Sequence, residues 1–199
     1  MRSKIVEKAS ELFLQLGFKT VTMDDIAAEL AISKKTIYSH FNNKKELVTA
    51  SIESLVSQIS EGAEKIYGSH ENPVEEFFLI RDYIIKTLEN EEPIARYQLE
   101  KYYPEIFREV QLKQLDLVMR CITENLIRGK ELQLYRSDLD IPFASRMYYS
   151  AMISIRDPMI FSPEEFKLEH LFDKVINHFL IAICTKTGLK ILEKHLETI

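Results

Sequence analysis

The stretch that decides the fold is TMDDIAAELAISKKTIYSHFNNKKEL, residues 22–47. Thr22 stands three residues before Asp25, a hydroxyl cap with a carboxylate returning to it, so a helix is predicted from Met23. Asp24 and Asp25 suit the positive end of that helix. Met23, Ile26, Ala27 and Leu30 share one face. Ala31-Ile32 is a tight connection, and Ser33 caps a further helix expected over Lys34 to Phe41. Ile37 and Phe41, four apart, turn inward. Lys35, Thr36, Ser39 and His40 then face outward, with Lys34 and Tyr38 at the flanks. Asn42-Asn43 is a turn, Asn43 a cap, and Lys44 and Lys45 open the next helix. A helix of this width fits the DNA major groove, where base edges are distinguishable. Side chains near its start reach bases while neighbours grip phosphates, and the start of the following helix adds an anion site.

Working outward, Ile5, Ala9, Leu12, Phe13 and Leu16 form one helix face over about Ser3 to Leu16, with Gly17-Phe18 as the stop. After Asn43 a long helix keeps helical spacing to about Tyr67, and Gly68 to Asn72 reads as a linker. Asn72-Pro73-Val74-Glu75 starts a helix to about Asn90. Pro93 and Pro104 bracket a short helical piece. Pro104 opens a long helix to about Arg128, with Gly129 as its end. Another helix covers about Pro142 to Arg156. Ser162-Pro163-Glu164-Glu165 opens one to about Lys186, and a short tail helix follows Gly188. No strand, repeat or low-complexity tract is predicted. The fold expected is all-α, with an N-terminal helix-turn-helix bundle of three helices and a larger helical domain. The expected boundaries are 1–47 for the first domain, 48–67 as a connecting helix and 68–199 for the second.

Charge supports this division. The chain carries −5 overall. Residues 1–50 hold eight basic and six acidic residues, whereas the remainder holds eighteen and twenty-five. Residues 31–50 alone hold four lysines against one glutamate. A small basic segment on an acidic body fits one nucleic-acid contact surface.

Stretch 22–47 resembles the signature of the TetR/AcrR family of transcriptional regulators. The matching positions are Thr22, Ile26-Ala27, Ser33-Lys34, Thr36-Ile37-Tyr38, Phe41, Lys44 and Leu47, and the Gly17-Phe18 stop also fits. The resemblance implies a ligand-responsive repressor that binds double-stranded DNA as a homodimer on a palindromic operator. It implies phosphate contacts from Tyr38 and Lys44 and base reading by the outward face of the third helix. The DNA-binding set is therefore Thr22, Ser33, Lys34, Lys35, Thr36, Tyr38, Ser39, His40 and Lys44. The sequence departs from the family pattern at Ala31, where glycine is common, at Lys35, where a small residue is common, and at His40, where tyrosine is common. In a left-handed conformation Ala31 would cost roughly 1 kcal/mol relative to glycine.

By the same resemblance the second half forms the dimer and often a small-molecule pocket. Phe143, Met147, Ile155, Phe172, Val175, Ile176, Phe179 and Ile183 are the apolar surface expected at the dimer interface. Two reading helices must lie about one DNA turn (~34 Å) apart, or a multiple of it. Tyr97, Tyr102, Phe107, Met119, Tyr148 and Met152 would line a pocket for an apolar or amphipathic effector.

Other classes fare worse. No Gly-rich phosphate loop, Gly-x-Ser-x-Gly or His-Glu-x-x-His motif is present, so no enzyme, cofactor or metal site is expected. Cys121 and Cys184 read as reduced core thiols of a cytoplasmic protein. Glu7 and Lys8 interrupt any signal peptide, and the longest apolar run, Phe179 to Cys184, is too short to span a bilayer. The alternative is a helical protein-interaction module that keeps the helix-turn-helix shape without binding DNA. Steep salt dependence of binding separates the two, because phosphate contacts release counterions.

Overall fold

The computed structural model describes residues 1–69 and 72–197. Every regular element among them is a helix: α1 (Arg2–Leu16), α2 (Met23–Glu29), α3 (Lys34–Tyr38), α4 (Lys44–Ser69), α5 (Pro73–Thr87), α6 (Pro93–Tyr102), α7 (Pro104–Glu131), α8 (Ile141–Ser154), α9 (Leu168–Ile183) and α10 (Lys186–Leu196). The nearest approach to a strand is an isolated bridge between Tyr135 and Cys184. Of the expected linker, Gly68 belongs to α4 and Asn72 caps α5, its Oδ1 accepting from Val74 N–H at 3.0 Å. His70 and Glu71 lie outside the described residues.

The chain divides into two compact units. The first holds residues 1–61 and 87–114, and the second residues 62–86 and those from 115 on. Helices α4 and α7 supply residues to both.

In the first unit, Ile5, Ala9 and Phe13 of α1 are fully buried against Phe18, Ile26, Ile37, Phe41, Leu47 and Val48. Each of these side chains larger than Ala9 contributes about 1.5–3 kcal/mol on leaving water. Phe13 and Phe18 stack at 5.2 Å across Gly17, whose φ of 90° is a conformation that glycine adopts without strain. The cap of α2 is a reciprocal box in which Thr22 accepts from Asp25 N–H and Asp25 accepts from Thr22 N–H. Burial at Ile37 and Phe41 fixes which side of α3 faces solvent.

In the second unit, Val74, Phe77, Ile122, Leu126, Tyr148, Ile176, Leu180 and Ile183 form the main core. A buried polar knot crosses it. Glu76, fully buried, accepts from Asn125 Nδ2 at 2.7 Å and from Arg128, while Tyr135 donates to Asn125 Oδ1 at 3.1 Å. Cys121 and Cys184 are free and buried.

Several expected boundaries shift. Helix α3 ends at Tyr38 rather than Phe41; Ser39 caps it, and its Oγ donates to Thr36 O at 2.7 Å. Gly129 does not end α7. The ring of Tyr135 packs on it, so that a Cβ there would lie 2.0 Å from the ring. The helix ends instead through Gln133 at φ 57°, with Leu134 N–H donating to Gly129 O at 2.8 Å and Gln133 N–H to Lys130 O at 3.0 Å. Helix α9 begins at Leu168, because the turn from Ser162 closes on itself through Phe166 N–H to Ser162 O at 2.9 Å. Phe161 and Phe166 pack edge to face across that turn. Helix α5 stops at Thr87, short of Asn90. The tail helix starts before Gly188, capped by Thr185, and Gly188 abuts the Leu134 carbonyl where a Cβ would not fit.

Candidate nucleic-acid interface

The turn between α2 and α3 sets the site. Ile32 N–H donates to Ala27 O and Ala31 N–H to Ala28 O, both at 3.0 Å, with Ala31 at φ 52°. This is a Schellman closure with alanine in the left-handed position. It reverses the chain in three residues and brings Ser33 to cap α3. Ser33 Oγ accepts from Thr36 N–H at 3.1 Å and lies 2.8 Å from Thr36 Oγ1.

The nine expected DNA contacts then fall as follows. Thr22, Ser33, Lys34, Lys35, Tyr38 and Ser39 are exposed, and Thr36, His40 and Lys44 are half-buried. Tyr38 exposes 45% of its surface, unusual for an aromatic ring on a five-residue helix whose other apolar member, Ile37, is sealed. Lys35 is on α3 and points to solvent. Lys34 is tied to α2 by an ion pair with Asp24 at 2.8 Å, and that carboxylate raises the Lys34 pKa. Ser39 and His40 lie past the helix end, in the turn leading to Phe41.

Lys44 opens α4. Its Nζ donates to Lys19 O at 3.2 Å and sits 5.8 Å from the Phe13 ring centroid. Burial lowers its pKa, and Asp25 partly opposes that. Asn43 caps α4 through Glu46 N–H at 2.9 Å, while Glu46 accepts from Asn42 N–H at 2.8 Å. The first N–H groups of a helix have no partner within it, so Lys44 combines a cation with an anion-binding helix start. Thr22, Asp25, Lys19 and Lys44 are thus joined in one corner of the first unit. Sequence reasoning missed Lys19 and the Asp24–Lys34 pair, since neither follows from periodicity.

The six residues expected to line one effector pocket divide between the two units. Tyr97 and Tyr102 are exposed on α6 and Phe107 is buried in the core of the first unit. Met119, Tyr148 and Met152 belong to the second unit. Of the six, only Tyr148 lines the apolar groove of about 690 Å³ along α8 and α9. The expected dimer surface is also divided. Phe143 and Met147 are exposed, by 63% and 53%, and Val175 and Phe179 are half-buried. Ile155, Phe172, Ile176 and Ile183 are buried inside the second unit. On α9, positions 172, 176, 180 and 183 form the stripe that a helix turns toward its own core.

Comparison with known proteins agrees with this geometry. A family model described as bacterial regulatory proteins, tetR family, matches residues 5–50. The chain is similar to the biofilm operon icaADBC HTH-type negative transcriptional regulator IcaR of Staphylococcus epidermidis, 37% identical over 54 residues. That match covers 27% of this chain and only 29% of IcaR. An uncharacterized HTH-type transcriptional regulator of Bacillus subtilis, YvaF, is 24% identical over 177 residues and is aligned over 86% of both chains. Among solved structures, SmeT, the repressor of the Stenotrophomonas maltophilia multidrug efflux pump SmeDEF, superposes with a TM-score of 0.72 at 19% identity. It covers 94% of this chain and 91% of its own. Another SmeT structure is a complex with triclosan. At that identity the likeness establishes the fold. No described helix is long and apolar enough to cross a membrane.

Proposed function

We propose that the chain is a regulator of the TetR type, whose family model matches residues 5–50, and that it is a repressor that acts as a homodimer on a palindromic operator and responds to a small molecule. The observation that carries the reading is the pairing of a capped, solvent-facing α3 with a lysine at the start of α4. Lys35 and Thr36 read base edges. Tyr38 donates its hydroxyl, and Lys44 its ammonium, to phosphate oxygens. Thr22, Ser33, Lys34, Ser39 and His40 border the same surface.

Residues 1–47 act as the DNA-binding domain; dimerisation and effector binding fall to the second unit, residues 62–86 and those from 115 on, rather than to all of 68–199, because 87–114 pack into the first unit. A second copy covers the α8 and α9 face, where Phe143, Met147 and Ile181 are more than half exposed. Two copies present two reading helices, spaced to meet successive major grooves about one turn apart. An apolar or amphipathic effector releases DNA only by binding the non-operator spacing more tightly than the operator spacing. SmeT is a repressor of this fold, and one of its structures is a complex with triclosan, which supports a responsive rather than a constitutive reading.

Gel-shift with duplexes from the gene's own neighbourhood tests the proposal. Tyr38→Phe and Lys44→Ala should weaken binding to every sequence, whereas Lys35→Ala and Thr36→Ala should change which sequences are preferred. Unchanged binding in all four variants would reject the roles. Binding insensitive to salt would reject DNA recognition itself.

A further inference from the structure

Lys19, in the loop between α1 and α2, is clamped from two sides. Its N–H donates to Gln98 Oε1 of α6 at 2.6 Å, and its carbonyl accepts from Lys44 Nζ at 3.2 Å. Gln98 is itself buried, 8% exposed, and its amide fills the space a Cβ at Gly17 would need. The clamp delivers the Lys19 side chain to α6, where Nζ donates to Tyr102 OH at 3.1 Å. Lys101 repeats the arrangement, donating to Tyr97 OH at 2.9 Å and lying 5.2 and 5.6 Å from the centroids of Tyr97 and Tyr102. All four side chains are exposed.

Elsewhere in the first unit Lys8, Lys34 and Lys45 each hold a carboxylate. Among the described residues Lys19 and Lys101 have none within ion-pair distance. Glu105, at the start of α7, is occupied by Lys45 at 2.7 Å. Two ammonium groups are therefore left without counter-charge beside two phenol hydroxyls, each able to donate. Lys19 also lowers the Tyr102 pKa by donating to its hydroxyl. Lysine and tyrosine in this combination suit phosphate oxygens, which accept from both. The patch is continuous with Lys44 through the Lys19 backbone.

We propose that Lys19, Lys101, Tyr97 and Tyr102 form a second phosphate track, outside the helix-turn-helix, that holds the backbone of DNA flanking the operator. This rests on the regulator reading above and adds to it a contact that carries no base preference. Its effect would be on affinity and salt dependence, with site choice left to α3.

The test uses the full-length chain and a duplex that it selects from a random-sequence pool. One version is trimmed to the protected core, and the other is extended by about one helical turn (~10 bp) on each side. Wild type should bind the extended duplex more tightly and with a steeper dependence on salt. Lys19→Ala with Lys101→Ala should lose that advantage, roughly tenfold at moderate salt, each lost phosphate contact lowering the slope by about 0.9. Lys19→Arg with Lys101→Arg should retain it. Tyr97→Phe with Tyr102→Phe, which removes only the hydroxyls, should lose part of it even if the alanine pair fails to fold. Equal binding of both duplexes by wild type, or an unchanged advantage in the alanine and phenylalanine pairs, overturns the track while leaving the helix-turn-helix reading intact. A wild-type chain that selects no duplex overturns both.

Discussion

Lys34 of α3 donates to the Asp24 carboxylate of α2 at 2.8 Å, so the first basic side chain of α3 is held by the helix that precedes it. Both side chains are more than half exposed, and exposed pairs of this kind contribute little to stability. Asp24→Asn should leave the melting temperature unchanged and free Lys34 for DNA. Gel-shift titrations across a salt series should then show tighter binding and a steeper slope. A weaker, flatter response would mean that Asp24 orients Lys34 productively.

The capping box predicts both a magnitude and a pH dependence. Thr22→Ala should destabilise the first unit by about 1 kcal/mol, the usual cost of losing a cap. The Thr22 amide and hydroxyl hold the Asp25 carboxyl below its ordinary range. A group whose pKa is lowered on folding stabilises above its unfolded value, about 3.9, and loses that contribution as pH falls through the folded value. Denaturant titrations should therefore show wild type more stable than Asp25→Ala at neutral pH, with the gap closing below about pH 4. A gap that persists in stronger acid would place the effect elsewhere.

Ala31 and Gln133 close α2 and α7 through the same hydrogen-bond pattern, each with positive φ. Ala31→Gly should stabilise by about 1 kcal/mol, and Gln133→Gly by a similar amount, because the Cβ strain disappears. Thermal melts of the two variants and of their combination check this. The gains should add, since the sites share no partner.

Glu76 is the buried anion of the second unit. Replacing it with alanine removes the carboxylate that pairs with Arg128 and accepts from Asn125, whose Nδ2 keeps Pro73 O at 2.9 Å, and losing a buried charged acceptor costs about 1–3 kcal/mol. Equilibrium unfolding of Glu76→Ala should show that loss. A loss below 1 kcal/mol would mean that water reaches the knot.

Legibility in the sequence followed the range of the interactions. The caps at Thr22, Ser33 and Asn43 need only residues three positions away, and their patterns are written locally. The inward pair Ile37 and Phe41 follows from spacing alone. The end of α7 was not legible, because it depends on Tyr135 folding back onto Gly129. The late start of α9 depends on Phe161 meeting Phe166 across a turn whose first residues mimic a helix start. Side-chain type is the one signal the expected pocket residues share, and it says nothing of which unit a residue enters. Hence Phe107 went to a core and Tyr97 to a surface. Lys19 carries no local signal, because its placement comes from Gln98, 79 positions away.

Gly129 and Gly188 sit inside helices, and both lie against the Leu134–Tyr135 corner, where an added methyl has no room. On the proposed repressor reading, a saturation library scored for gene silencing would accordingly contain two families of dead variants. Those on α3 would accumulate to normal abundance yet leave the promoter on, whereas those at these glycines would vanish from the cell. Counting protein alongside reporter output would separate a broken reader from a broken scaffold, and would keep a steric choke point from being mistaken for an effector site.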